Sequence, residues 1–341
     1  MKKLHLLVLL LAAVVMIFSV MGCAEEAAVE EAEETEEEAV MEEEAEEEAE
    51  EEAEAEAEEE APDSDEVLMQ TALAYFDHVA AGNNNMTNFN DVKEMVDEDP
   101  ESLLIIDIRG ADDFEVGHIP GSVYADRSEV AGLMNRIPRD KPVFIACFTG
   151  QNAGYTTAYL RMAGFDNVTS LFYGINLGWI ERGGFELEGT GMNHMEDLPT
   201  VSAPETAEEE IIWARAEAYG AEIAAGQIGF IPLDAHEELY ADMQADPNSV
   251  MFYDIRAASG GDHDFDQYHV EHAVNVPFGQ FGSALDEIPT DVTTVVACYS
   301  GQTSAQTLGV LRMLGFDNAR SLLYGVRDGW VQRNDLPVVT P

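Results

Sequence analysis

The sequence predicts an α/β protein of two consecutive domains, each a parallel sheet with helices on both faces, after a signal segment and a disordered acidic linker. Two observations carry that expectation. The chain repeats itself: "LRMAGFDNVTSLFYGINLGW" at 160–179 aligns without a gap on "LRMLGFDNARSLLYGVRDGW" at 311–330, and "LLIIDIRGADDF" at 103–114 echoes "VMFYDIRAASGG" at 250–261. So long a period does not fit a solenoid and does fit two copies of one globular domain. Within each copy, short β-branched apolar runs alternate with stretches of helical spacing, the pattern of a parallel sheet covered on both sides.

The elements follow in chain order. Lys2 and Lys3 precede an almost wholly apolar run, Leu4 to Val20, which closes on Val20-Met21-Gly22-Cys23. This is the form of an export signal, and its ending resembles a bacterial lipobox, which implies cleavage before Cys23 and lipidation of that cysteine. Residues 1–23 are therefore expected to be a lipoprotein signal peptide. The mature chain is expected to be extracytoplasmic, lipid-anchored to a bacterial membrane on its periplasmic or cell-surface side. An uncleaved membrane anchor is the alternative, but it needs no cysteine there. Residues 24–66 are nearly all Glu and Ala; without Lys or Arg at helical spacing the glutamates repel, so a disordered tether is expected. Domain 1 is placed at 67–198 and domain 2 at 199–341, divided near "EDLPTVSAPET" at 196–206, which is polar, non-periodic and interrupted by proline.

Leu103 to Ile106 and Val143 to Ala146 in the first copy, with Val250 to Tyr253 and Val295 to Ala297 in the second, are expected as buried strands. Ala153 to Ala163 and Ser304 to Leu314 are expected as helices, stopped by Gly164 and Gly315. Between strand and helix lie "CFTGQN" at 147–152 and "CYSGQT" at 298–303. A loop that leaves a strand and starts a helix aims backbone N–H groups at one spot, where the helix N-terminus adds positive potential. A cysteine there, Cys147 or Cys298, is expected to have a lowered pKa, to be exposed enough to react and to act as a nucleophile. Gly150 and Gly301 let the loop wrap. Phe148, Thr149, Gln151 and Asn152, or Tyr299, Ser300, Gln302 and Thr303, complete a substrate loop with uncharged hydrogen-bond partners. A buried inert thiol is the plain alternative for one cysteine, but two matching loops argue against it.

These residues resemble the rhodanese family. Strands end in Asp107-Ile108-Arg109 and Asp254-Ile255-Arg256; "FEVGHIPGSVYA" follows at 114–125, then a strand ending in cysteine with a six-residue loop, then "GFDNV" and a YG…GW pattern. The resemblance covers nearly all of the chain after residue 67. It implies two rhodanese-like domains and a sulfurtransferase whose loop cysteine cycles through a persulfide, with no cofactor. The second copy departs by inserting "SGGDHDFDQ" before Tyr268 and by lacking "IPG" after its histidine, so that His272 stands for His118. Asp107 with Arg109, and Asp254 with Arg256, are supporting pairs that either orient a substrate anion or close a strand end. His118 and His272 are expected to fix turns, and Trp179 and Trp330 to be core. The three His and three Asp of "GDHDFDQYHVEH" at 261–272 are too irregularly spaced for a metal site.

A formal net charge of −52, with Lys only at Lys2, Lys3, Lys93 and Lys141, excludes nucleic acid as a partner class. The acidity fits a saline habitat and equally a well-solvated surface. The cysteines are Cys23, Cys147 and Cys298, each already with a role, so no structural disulfide is expected. A phosphatase on this fold wants an arginine six residues after the cysteine; Ala153 and Ser304 stand there. The expected partners are a small sulfur donor and acceptor, the membrane through the lipid, and a respiratory or sulfur-relay protein. Because neither loop holds Lys or Arg, thiosulfate is expected to be a poorer donor than polysulfide or a small persulfide. The second functional reading is a module that binds sulfide or polysulfide for a membrane respiratory partner without turnover.

Overall fold

The computed structural model describes residues 62–341; the expected signal segment, Cys23 and the linker up to residue 61 lie outside them. Helix α1, Ser64–Ala80, starts at Asp63, whose carboxylate accepts the amides of Asp65 and Glu66. The first copy continues with β1 Met86–Thr87, α2 Phe89–Glu98, β2 Leu104–Asp107, α3 Ala111–Val116, β3 Val123–Tyr124, β4 Val143–Ala146, α4 Gln151–Met162 and β5 Val168–Leu171. The second runs α5 Ala207–Ala224, β6 Phe230–Ile231, α6 His236–Ala245, β7 Val250–Asp254, β8 Val274–Asn275, β9 Thr293–Ala297, α7 Gln302–Met313 and β10 Ala319–Leu322. Each copy forms a five-stranded parallel sheet, in the orders β1-β5-β4-β2-β3 and β6-β10-β9-β7-β8. The strands that lead into the cysteines, β4 and β9, are central, which is why they read as continuous apolar runs. Helices α4 and α7 start two residues earlier than expected and stop at Gly164 and Gly315, whose φ angles of +87° and +86° only glycine adopts without strain.

The two copies exchange their leading helices. Phe76 of α1 packs on Phe278 and Phe281 of the second copy, with ring centroids 6.3 and 5.5 Å apart. Trp213 of α5 packs on Phe165 of the first copy and donates its indole N–H to the Ala163 carbonyl at 3.0 Å. Between these helices α4 and α7 meet directly. A Cβ on Gly154 would lie 2.6 Å from the Gln302 carbonyl oxygen, and one on Gly309 would lie 2.8 Å from that of Tyr155. One buried cluster therefore runs through both copies, while separate clusters around Trp179 and Trp330 fill the outer faces of the sheets.

The second copy's histidine is assigned differently from the sequence expectation. His118 is buried, stacks on Phe114 at 3.9 Å and donates from Nδ1 to the Phe114 carbonyl at 2.9 Å. His269, not His272, repeats this, stacking on Phe265 at 4.0 Å with Nδ1 3.1 Å from the Phe265 carbonyl. His272 instead takes the place of Gly121; both have positive φ, +66° and +80°. The length difference falls earlier, because Phe114 follows Arg109 by five positions and Phe265 follows Arg256 by nine. Where the first copy has α3, the second has turns.

Candidate active site

Cys147 and Cys298 directly follow β4 and β9. The chain turns at Gly150 and Gly301, with φ of +88° and +94°, and enters α4 and α7. This short turn folds the backbone around the sulfur. Gly150 and Ala153 amides point at Cys147 Sγ from 3.2 and 3.3 Å, and the Gly301 amide points at Cys298 Sγ from 3.1 Å. The carbonyls of both cysteines are held too, accepting Ile175 and Val326 amides at 2.7 Å each. Close approach of those segments explains the YG pattern: Tyr173 and Tyr324 take φ of +62° and +61°, and a Cβ on Gly174 or Gly325 would lie 2.4 or 2.3 Å from the cysteine carbonyl oxygen. Both thiols are free.

The expected exposure is found at neither cysteine, and the lowered pKa expected for Cys147 is not found. Cys147 is 1% and Cys298 2% exposed. Burial pushes the Cys147 thiol up, and the surrounding amides of Ala153, Thr149, Gly150 and Asn152 offset that only in part. The helix-start geometry is present as expected, but desolvation outweighs it, because the sulfur lies under the loop.

The supporting pairs close strand ends. Arg109 Nε and Nη2 grip Asp107 at 3.0 and 2.8 Å, and Nη2 also donates to the Gly117 carbonyl at 2.8 Å. Arg256 holds Asp254 at 2.9 and 2.6 Å and donates to the carbonyls of His263 and Tyr268, each at 2.7 Å. All four side chains are buried and occupied with protein partners.

The Rhodanese-like domain family matches residues 88–180 and 235–332, more than half of the chain. The chain belongs to the rhodanese family. It is similar to the thiosulfate sulfurtransferase GlpE of Pseudomonas savastanoi pv. phaseolicola, 32% identical over 26% of this chain and 73% of that one. It is also similar to GlpE of Pseudoalteromonas translucida, 34% identical over 21% and 70%. A solved thiosulfate sulfurtransferase from Pseudomonas aeruginosa overlaps 75% of this chain and 46% of its own at 18% identity and a TM-score of 0.33.

The two rhodanese domains share their site walls. Gln302 reaches across to the first domain: its side-chain amide donates to Ser170 Oγ and the Leu171 carbonyl at 3.0 and 3.1 Å, and its oxygen accepts the Tyr173 amide at 3.0 Å. Gln151 makes one of these contacts in reverse, its oxygen accepting the Tyr324 amide at 3.3 Å while its Nε2 has no partner among the described residues. Both glutamines therefore clasp the domains together where α4 and α7 pack closely, and Gln302 also lines the cleft beside Cys298. Cys298 opens on a cleft of about 410 Å³ lined by Tyr299, Ser300, Thr303 and Arg327 of its own domain and by Phe172 and Tyr173 of the other. Tyr299 donates its hydroxyl to buried Asp264 and accepts the Ala257 amide at 3.1 Å, so the extra turns of the second domain brace its loop. Burial and the Asp264 carboxylate push the Tyr299 phenol up to about 12.

Arg327, Tyr173 and Asp264 were not legible as site residues. Tyr173 and Asp264 arrive through tertiary contacts. Arg327 left one trace: in the gapless repeat, "INLG" at 175–178 becomes "VRDG" at 326–329, a charged pair where the first domain has none.

Proposed function

We propose that this rhodanese-type sulfurtransferase carries sulfane sulfur as persulfides on both Cys147 and Cys298, outside the cytoplasm and tethered to a membrane through Cys23. The observation that carries the reading is the duplicated sulfur cradle at the start of a helix, with two backbone amides aimed at Cys147 Sγ and one at Cys298 Sγ. In the first half-reaction the cysteine thiolate attacks the donor's sulfane sulfur. A bond forms to Sγ, and the donor's bond to that sulfur breaks with its electron pair leaving on the donor. The amides then hold the persulfide anion until a nucleophilic acceptor takes the outer sulfur and returns the thiolate. The relatives are named for thiosulfate, and thiosulfate is accordingly one donor to try here.

Peptide mass spectrometry after sulfur loading tests this. Cys147→Ser and Cys298→Ser should each lose the added sulfur from one peptide, and the double variant should carry none. A cysteine never labelled in the wild type would reduce its domain to a structural partner. The near-complete burial of both sulfurs supports a second reading, binding of sulfide or polysulfide for a membrane respiratory partner without turnover; multiple turnovers with a small thiol acceptor would exclude it. For the tether, Cys23→Ala should shift the protein from the membrane fraction, and an unchanged distribution and size would remove the lipoprotein assignment.

A further inference from the structure

The two cradles are alike in backbone and unlike in the side chains of their walls. Arg327 lines the Cys298 cleft together with Tyr173. Its guanidinium is fixed by Asp328 through Nε and Nη2 and meets the Tyr173 side chain, contacts that keep it protonated. Its counterpart in the first domain is Asn176: the Arg327 amide donates to the Tyr299 carbonyl at 3.1 Å and the Asn176 amide to the Phe148 carbonyl at 2.9 Å, so the two positions coincide. Asp328 likewise becomes Leu177, and Tyr299 becomes Phe148. The first domain has its own unmatched arginine, Arg127, which acts on Tyr155 near Cys147 where the second domain has Phe278, while one further pair is matched. Arg182 stacks on Tyr173 at 3.7 Å, and Arg333 stacks on Tyr324 at 4.3 Å. The loops themselves contain no cation, which is why thiosulfate was expected to be disfavoured at both; at the Cys298 site Arg327 in the wall supplies what the loop lacks.

We infer that Arg327 is a specificity-determining residue that lets Cys298 load from an anionic sulfane donor such as thiosulfate. This rests on the persulfide reading above. The Cys298 thiolate attacks the outer sulfur of thiosulfate; the Sγ–S bond forms, the S–S bond of the donor breaks, and sulfite leaves with the bonding pair. No external oxidant or reductant is needed. Arg327 binds the sulfonate oxygens, whose charge is present in the donor, the transition state and the departing sulfite. An uncharged donor, elemental sulfur, makes no such demand: its ring opens on attack and leaves an anionic sulfur chain on the cysteine.

The test compares the two donors at the two cysteines. Full-length wild type and Arg327→Gln are treated with thiosulfate or with dispersed S8, and added sulfur on each cysteine peptide is followed in time by mass spectrometry. In the wild type both donors should load Cys298. In Arg327→Gln the ratio of thiosulfate to S8 loading at Cys298 should fall about 10-fold or more, the scale of one lost charge-assisted contact, with the ratio at Cys147 unmoved. Arg327→Lys, which keeps the charge, should recover part of the ratio. An unchanged ratio in Arg327→Gln overturns the inference. So does a parallel loss with both donors, which would mark Arg327 as a structural residue. Failure of both donors to label either cysteine in the wild type would instead remove the persulfide reading on which the inference stands.

Discussion

His236 occupies in the second domain the place that Phe89 holds in the first. A Cβ on Gly329 would meet its Cε1 at 3.2 Å, as one on Gly178 would meet the Phe89 ring at 3.2 Å. It is fully buried near Trp330, and neither ring nitrogen has a well-formed hydrogen bond. Burial holds its pKa below the usual histidine value, opposed only in part by the Ile231 backbone and Asp234. A folded-state pKa below the unfolded one means stability that is complete above the unfolded value of about 6.5 and is lost as pH falls through it toward the folded value. Urea unfolding of the wild type should therefore weaken between pH 7.5 and pH 5.5 by more than that of His236→Phe. The variant should also be more stable at pH 7 by about 1 kcal/mol, since it removes a buried polar ring without partners. Parallel pH profiles for the two proteins would show that His236 is not the titrating group. Sequence periodicity marked none of this, because a histidine at a helix start reads as surface until the packing is known.

At the scale of elements, the YG turn decides where each cysteine loop lies. The left-handed Tyr173 and Gly174, and their counterparts Tyr324 and Gly325, bring a π-helical segment, Gly174–Arg182 or Gly325–Val331, down onto the cysteine carbonyl. Gly174→Ala and Gly325→Ala each force a Cβ into that oxygen at a positive φ. Each should cost about 2 kcal/mol or more in urea unfolding and should slow sulfur loading of Cys147 or Cys298, respectively. Gly132→Ala, with nothing within 4 Å of the added carbon and an ordinary φ, should stay within about 0.5 kcal/mol of wild type. Equal costs at all three positions would mean that the turn is not what holds the loop. The strands, helices and glycine stops were legible because their signals are local: buried apolar runs, helical spacing, and a residue without a Cβ. The length change in the second domain was misplaced for the same reason. His269 and His272 each fit a local match to His118, and only stacking on Phe265 distinguishes them.

For the whole molecule, exchange of leading helices makes the two rhodanese domains one folding unit. Phe76 belongs to the first by sequence and to the second by packing. Phe76→Ala should cost about 3–5 kcal/mol, and hydrogen exchange should report lost protection at Phe278–Glu287 in the second domain. Protection lost only within the first domain would contradict the exchange. Urea unfolding of the wild type should show one transition, because a continuous buried cluster passes through α4 and α7 and neither copy buries its share alone.

The sequence by itself determined the duplication, the parallel α/β architecture of each copy, and a cysteine at the carboxyl end of a central strand facing a helix start. These follow from patterns a few residues long, repeated. Tertiary structure alone decided that the thiols lie under their loops, that burial outweighs the amides in setting the Cys147 pKa, and that Gln151 and Gln302 join the domains. It also decided that Arg327 and Tyr173 share a cleft with Cys298. Each of these depends on which surfaces meet when α4 packs on α7. The residues that meet there lie more than a hundred positions apart, beyond the reach of any local pattern.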